Sequence, residues 1–154
     1  MKQLHVDTDL GGDIDDLCAL AMVLNWPEAE LLAVTTVAEH QGKRAGYARY
    51  VLQLAGRADI AVAAGADASL DCYRSWQGLP DDTINFLHDP LACAIALGWD
   101  EGVEIREVPL KSEITDSWLR HTIQESGKPT RVVTVVHGEK FSDFWLRTVA
   151  RRDP

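Results

Sequence analysis

Residues 6–17 read VDTDLGGDIDDL, and this acidic segment decides more about the fold and the chemistry than any other part of the chain. Five aspartates fall within ten residues, after a short apolar run and before a pattern typical of a helix. Carboxylates this close repel one another, so a fold that keeps them usually holds a cation, and hard oxygen ligands suit Ca²⁺ or Mg²⁺. Gly11 and Gly12 allow a tight turn between strand and helix.

The composition indicates a folded, acidic protein. With 154 residues, 46% of them hydrophobic, the chain is long enough for one domain with its own core. Its net charge of −9 argues against a partner with a phosphate backbone, which needs a basic face, so no nucleic acid is expected. No apolar run approaches the roughly 20 residues of a membrane span, so no membrane association is expected. A small molecule or a cation is the partner that this composition favours.

The cysteines and the N-terminus predict a cytoplasmic protein. Cys18, Cys72 and Cys93 are odd in number and form no CxxC pair, so neither a zinc site nor a disulfide framework is indicated. Free thiols of this kind are usually buried, in a compartment that keeps them reduced. Strand-like sequence follows Met1 almost at once, so no signal peptide is expected.

Apolar periodicity in the first half predicts alternating strands and helices. The expected strands are 4–7, 30–37 and 60–64, and the expected helices are 15–25 and 43–55. This βαβαβ order is typical of an open parallel sheet. The continuous apolar run of the second strand suits a sheet that is covered on both faces.

The second half gives weaker signals. After an irregular stretch, the pattern predicts a helix from Pro90 to Leu97, strands at 103–108 and 131–136, and a last helix at 139–151, while 112–128 stays ambiguous. We expect one domain over 1–154, with an N-terminal part (1–66), an irregular junction (67–83) and a C-terminal part (84–154). The fold class is α/β, with an open, mostly parallel sheet and flanking helices.

Ligands of open α/β sheets bind beyond the carboxyl ends of the strands. The acidic segment follows the first expected strand, and Glu39 and His40 follow the second. Those two residues belong either to a solvated loop or to the site. Asp13 alone is best explained as an ordinary cap of the following helix.

Two other interpretations of the acidic segment fit its residues less well. Asp7, Asp9 and Gly12 match positions 1, 3 and 6 of an EF-hand calcium loop, but Cys18 stands where the bidentate Glu is required. A phosphoryl-transfer site of the haloacid dehalogenase type also places DxD after a first strand. It would need Thr or Val at the position of Gly11 and a suitable downstream lysine.

A third interpretation is a family resemblance. The run DTDLGGDIDDLCAL at residues 7–20 resembles the N-terminal signature of the inosine–uridine-preferring nucleoside hydrolases, and FLHDPLA at 86–92 resembles their His-Asp-Pro motif. Shorter similarities, in family order, lie at 35–38, 63–66, 131–134 and 141–146. The resemblance implies a nucleoside hydrolase-like, Rossmann-like α/β fold.

The resemblance also implies a role for each matching residue. Asp9, Asp16 and Asp89 would ligate Ca²⁺, and Asp15 would hold the hydroxyls of a ribose. Asp9 would also orient and deprotonate the attacking water, whose pKa a metal lowers. His88 is a candidate to protonate the departing base, since imidazole titrates near neutrality. The implied reaction is hydrolysis of the N-glycosidic bond of a ribonucleoside to ribose and free base, through an oxocarbenium-like transition state.

The chain departs from the family pattern at two places. Family members are longer, and the segment shortened here, around 71–83, supplies a metal-binding carbonyl and ribose-contacting side chains. Glu39 and His40 stand where the family has Gly-Asn, so His40 would replace a substrate-binding amide. The alternative function is a non-catalytic, divalent-cation-dependent module that binds a nucleoside or ribose-like ligand or associates with another protein. A shortened sheet exposes its edges, which predicts a homo-oligomer.

Overall fold

The computed structural model describes residues 1–39, 41–66, 88–115 and 118–150. The expectations for His40, for the junction at 67–83, for Cys72 and for the start of the His-Asp-Pro motif at 86–87 lie outside the described residues. The elements are β1 (Lys2–Thr8), α1 (Asp15–Leu24), β2 (Ala29–Thr36), α2 (Lys43–Leu54), β3 (Ala61–Ala64), α3 (His88–Leu97), β4 (Val103–Thr115), β5 (Trp118–Ile123), β6 (Lys128–Val136) and α4 (Gly138–Val149). None of these helices is long and apolar enough to cross a membrane.

The first half forms a parallel sheet in the order β1-β2-β3, which confirms the expected α/β fold. Each strand lies beside its predecessor, so right-handed crossovers place α1 and α2 on the same face of the sheet. Leu20 of α1 and Leu52 of α2 pack there against Val34 of β2, in the larger of the hydrophobic clusters. The expectation that this sheet is covered on both faces is wrong at Leu32, which points away from that cluster and is 48% exposed.

A second cluster of aromatic side chains joins the C-terminal helix to the first half. The Trp99 and Phe141 rings meet edge to face with centroids 5.4 Å apart, and Trp26 and Phe144 do so at 5.2 Å. The indole nitrogen of Trp145 donates a hydrogen bond to the Cys18 carbonyl at 3.1 Å. These contacts hold α4 against α1, while α3 packs along α1.

The described residues of the ambiguous stretch at 112–128 lie in or beside the strands of a separate antiparallel sheet, ordered β5-β4-β6. β4 runs on to Thr115 because Leu110–Thr115 pair with Trp118–Ile123 in a hairpin. Residues 111–115 are all exposed, so no buried face imposes an apolar alternation on them. That is why the sequence pattern predicted only the inner parts of β4 and β6, which pair from Val103↔Val136 onward.

Candidate functional site

A cavity of about 270 Å³ lies at the carboxyl ends of the parallel strands, where the fold predicts a ligand. Residues from the β1 end, α1, the β2 end and α3 line it: Val6, Asp7, Thr8, Asp9, Asp16, Ala19, Val37, Asp89, Ala92 and Cys93. The three carboxylates expected to bind a cation, Asp9, Asp16 and Asp89, are thus brought to one cavity. Two come from the N-terminal segment and the third from α3.

Asp16 is the most deeply set of these carboxylates, with 6% of its surface exposed. The Thr8 hydroxyl donates a hydrogen bond to its Oδ1 atom and accepts one from the Leu10 backbone N–H at 3.2 Å. Burial raises the pKa of Asp16 to about 6; the Thr8 hydrogen bond opposes that shift, and the charges of Asp89 and Asp9 add to it. The strand end therefore orients a carboxylate that is costly to ionise without a nearby cation.

Asp89 lies in the first turn of α3, directly before the buried Pro90. Burial, and then the charge of Asp15, raise the pKa of the Asp89 carboxyl above its usual value. Carboxylates that face one cavity and disfavour each other's ionised forms are a donor set that a divalent cation would stabilise. Their hard oxygen atoms fit Ca²⁺ or Mg²⁺.

A second carboxylate group overlaps the first at Asp16. Asp13, Asp15 and Asp16 each offer a ligand atom within 4.8 Å of the others, so this group could also hold a metal ion. Asp15 is buried and accepts a hydrogen bond from the Asp16 backbone N–H at 3.1 Å. The pKa of Asp13 is raised above its usual value, and the largest cause is the side-chain hydrogen bond between Asp13 and Asp15.

The expectation that Asp13 caps α1 is wrong. Ile14 occupies the N-cap position, and no side-chain hydrogen bond closes that end of the helix. Asp15 and Asp16 instead occupy the first turn, where the helix dipole favours negative charge.

Helix α2 presses against the two glycines of the acidic segment. Gly11 has a φ of +107°, and a Cβ atom added there would lie 2.6 Å from Cδ2 of Tyr47. A Cβ atom on Gly12 would lie 3.8 Å from Nη1 of Arg44. Gly11 therefore serves a close approach between the loop and α2, as well as the tight turn expected from sequence, whereas the space at Gly12 would accept a Cβ atom.

Arg44 contacts the site, and sequence reasoning missed it. Its Nη1 atom lies 3.8 Å from Oδ2 of Asp9, with 20% and 22% of the two side chains exposed. A basic residue at the start of a helix carries no signal of this contact, because the contact arises only when α2 packs against Asp9, which is 35 residues earlier in the sequence. The nearest available hint was Gly11, which leaves room for α2 to approach the loop.

Glu39 has a structural role that neither expectation described. It is buried, with 4% exposed, and its carboxylate accepts hydrogen bonds from the Thr36 hydroxyl and from the backbone N–H groups of Arg44 (3.2 Å) and Ala45 (2.7 Å). Gly42 at the N-cap of α2 has no side chain to do this. Glu39 is therefore the cap of α2, and not a solvated loop residue.

The remaining site residues lie at the edges of this arrangement. His88 is the first residue of α3 and is exposed, and it is not among the residues that line the cavity. Asp7, which had no assigned role in the nucleoside hydrolase interpretation, lines the cavity and accepts a hydrogen bond from the Thr35 hydroxyl at 2.6 Å. The His5 ring meets the same hydroxyl at 2.9 Å.

Comparison with known proteins gave one family. A family model described as inosine-uridine preferring nucleoside hydrolase matches residues 4–83, a little over half of the 154-residue chain. No curated protein and no solved structure gave a significant match. The matched range includes the acidic segment and the helix that packs against it, whereas His88 and Asp89 lie beyond its end.

Proposed function

The chain belongs to the inosine-uridine preferring nucleoside hydrolases, and from that premise we propose that it hydrolyses the N-glycosidic bond of a ribonucleoside with the help of bound Ca²⁺. Membership indicates a nucleoside hydrolase type of function and a nucleoside as the small-molecule ligand. The cation, the ribose preference and the residue roles are our proposal. Asp9, Asp16 and Asp89 would hold the cation.

The observation that carries this proposal is the meeting of three carboxylates in one cavity. Asp9 and Asp16 come from the family-matched part, and Asp89 comes from α3 outside it. A helix cap explains neither Asp9, on the strand side, nor the burial of Asp16, which would cost free energy without a cation. A cation site needs carboxylates that converge from different elements, and an incidental acidic surface lacks that convergence.

The chemistry follows from the charges that line the cavity. Ca²⁺, when bound, would supply the Lewis acidity that lowers the pKa of the attacking water. Asp9 would orient that water and accept its proton. Asp15, which is buried next to Asp16 and is not among the described residues that line the cavity, would bind ribose hydroxyls. The transition state carries positive charge on the sugar, which a cavity lined by carboxylates stabilises. His88 remains the candidate acid for the departing base.

A second function is favoured by the position of His88. His88 lies outside the cavity lining, and among the described residues that line the cavity there is no imidazole to meet the departing base. The alternative is a module that binds a nucleoside or a ribose-like ligand with a divalent cation and does not turn it over. Both functions use the same three carboxylates, so only turnover separates them.

Self-association is part of the proposal. The exposed Leu32 lies on the sheet face opposite α1 and α2, and Ile114 and Ile123 of the antiparallel sheet are 64% and 69% exposed. Apolar surface of this kind favours association. We expect a homo-oligomer by light scattering at micromolar concentration, and a monomer there would contradict it.

The experiment is an assay of reducing-sugar release from inosine and from uridine, with Ca²⁺ and with a chelator. We expect release that depends on Ca²⁺ and disappears in Asp9→Asn. The matched control is Asp143→Asn, which removes the same charge from the exposed side of α4 and should leave the rate unchanged. A folded wild type that binds Ca²⁺ and releases no sugar would favour the binding module. An unchanged rate in Asp9→Asn would overturn the role of Asp9.

A further inference from the structure

Arg44 places a fixed positive charge beside the proposed cation site. Its Nη1 atom lies 3.8 Å from the Asp9 carboxylate, and a Cβ atom added to Gly12 would lie 3.8 Å from the same nitrogen. At that distance the contact is an ion pair and not a hydrogen bond. Arg44 does not line the cavity, so it approaches Asp9 from behind, on the side of α2.

The side chain of Arg44 is tethered. Its Nε–H donates a hydrogen bond to the Ala38 carbonyl at 2.9 Å, and its backbone N–H is held by the Glu39 cap. Ala38 itself has a φ of +51°, a conformation that non-glycine residues rarely adopt. The guanidinium cannot leave Asp9 without losing the bond to Ala38.

The hydrogen bond to Ala38 involves the Nε atom of Arg44 and not its Nη1 atom. The Nη1 atom of Arg44 is buried and has no hydrogen-bond partner within the described parts of the chain. A buried donor without a partner is costly, and it is kept here next to a carboxylate. This arrangement indicates that Arg44 acts on Asp9 through its charge and position.

We propose that Arg44 is a positioning residue, which directs the Asp9 carboxylate and supplies a counter-charge that competes with the bound cation. The inference rests on the proposed function, since it assumes that Asp9 is a cation ligand. Arg44 partly neutralises Asp9 in the metal-free protein and repels a divalent cation held by the same carboxylate. The site is thereby kept folded without metal, and its cation affinity is lower than that of a purely acidic pocket.

The size of the effect follows from Coulomb's law. A unit positive charge on the far side of a cation-binding carboxylate, such as that of Arg44, lowers the affinity of the site for a divalent cation. The decrease is about tenfold, even at a dielectric constant near that of water. We therefore expect Arg44→Gln to bind Ca²⁺ about tenfold more tightly than the wild type. A merely structural role predicts the opposite sign, because a loosened Asp9 would bind the cation more weakly.

The test is calorimetric titration of the metal-stripped protein with Ca²⁺. The matched control is Lys43→Gln, which removes the same charge from the adjacent, exposed position on α2 and should change the affinity by less than about twofold, since solvent screens it. Arg44→Lys keeps the charge and should bind Ca²⁺ within about threefold of the wild type. If Arg44→Gln folds poorly, Arg44→Lys is measured in its place, and an affinity outside that range contradicts the inference.

The outcomes separate this inference from the proposed function. Tighter binding in Arg44→Gln, with Lys43→Gln and Arg44→Lys near the wild type, supports the inference. Equal or weaker binding in Arg44→Gln, in a wild type that does bind Ca²⁺, overturns it and leaves the proposed function intact. A wild type that binds no divalent cation overturns the proposed function and, with it, the competition assigned to Arg44.

Discussion

Replacing Asp16 by Asn should stabilise the metal-free protein at neutral pH and destroy its response to calcium. Burial raises the pKa of Asp16 from 3.8 to about 6 in the folded state. A carboxyl group with a raised folded pKa contributes stability that is fully present below its unfolded pKa and is lost as the pH rises through the folded one. The wild type therefore loses stability relative to Asp16→Asn between about pH 4 and pH 7.

The magnitude follows from that shift. A change of roughly two pKa units corresponds to about 3 kcal/mol at 1.36 kcal/mol per unit. Water at the cavity mouth screens part of this, so we expect a difference of about 1–2 kcal/mol at pH 7. For a chain of this size, that difference is about 3–6 °C in Tm. An Asn at position 16 can still accept the hydrogen bond from Thr8, so the variant keeps the local geometry.

The assay is thermal or urea unfolding of both proteins in a chelating buffer from pH 4 to pH 8, with Asp143→Asn as the charge-matched control. The stability gap between Asp16→Asn and the wild type should open as the pH rises, and the control should show no gap. Saturating Ca²⁺ should reverse the order, because only the wild type keeps all three carboxylates. An absent gap, or a variant that is less stable than the wild type at every pH, would contradict this prediction.

Four further variants test contacts at the site and in the helices that support it. Glu39→Ala should cost about 1–2 kcal/mol in urea unfolding, because α2 loses its cap. Gly11→Ala should lower the free energy of unfolding by more than about 1 kcal/mol, since the φ of Gly11 is +107° and Tyr47 blocks an added Cβ atom. Gly46→Ala, in open space on α2, should instead raise the free energy of unfolding by about 0.5 kcal/mol or more. Trp145→Phe should cost about 1 kcal/mol through the lost bond to α1, and an unchanged unfolding midpoint would contradict it.

Local patterns were sufficient for the first half of the fold. The expected helices at 15–25 and 43–55 end within one residue of α1 and α2 as observed, because the period of apolar residues and the breakers after them act over a few positions. The strand at 30–37 was likewise recognised from its own residues. The sequence did not predict which residues of this strand are exposed, since the exposure of Leu32 depends on the face of the sheet against which the helices pack.

The second half shows where local patterns fail. β4 extends to Thr115 because it pairs with β5, and most of this hairpin faces solvent. Backbone pairing between exposed strands leaves no apolar alternation in the sequence, so neither the length of β4 nor the existence of β5 could be inferred from residues 112–128.

The sequence alone determined the family, the α/β class and the acidic segment in which the candidate site lies, because five carboxylates so close together are a local fact. Tertiary structure alone decided that Asp89 joins Asp9 and Asp16 in one cavity, that Glu39 caps α2, and that Arg44 lies against Asp9. These contacts join residues from different elements. They depend on how helices pack on a sheet, and the energy of that packing is spread over the whole core, not written in any one segment.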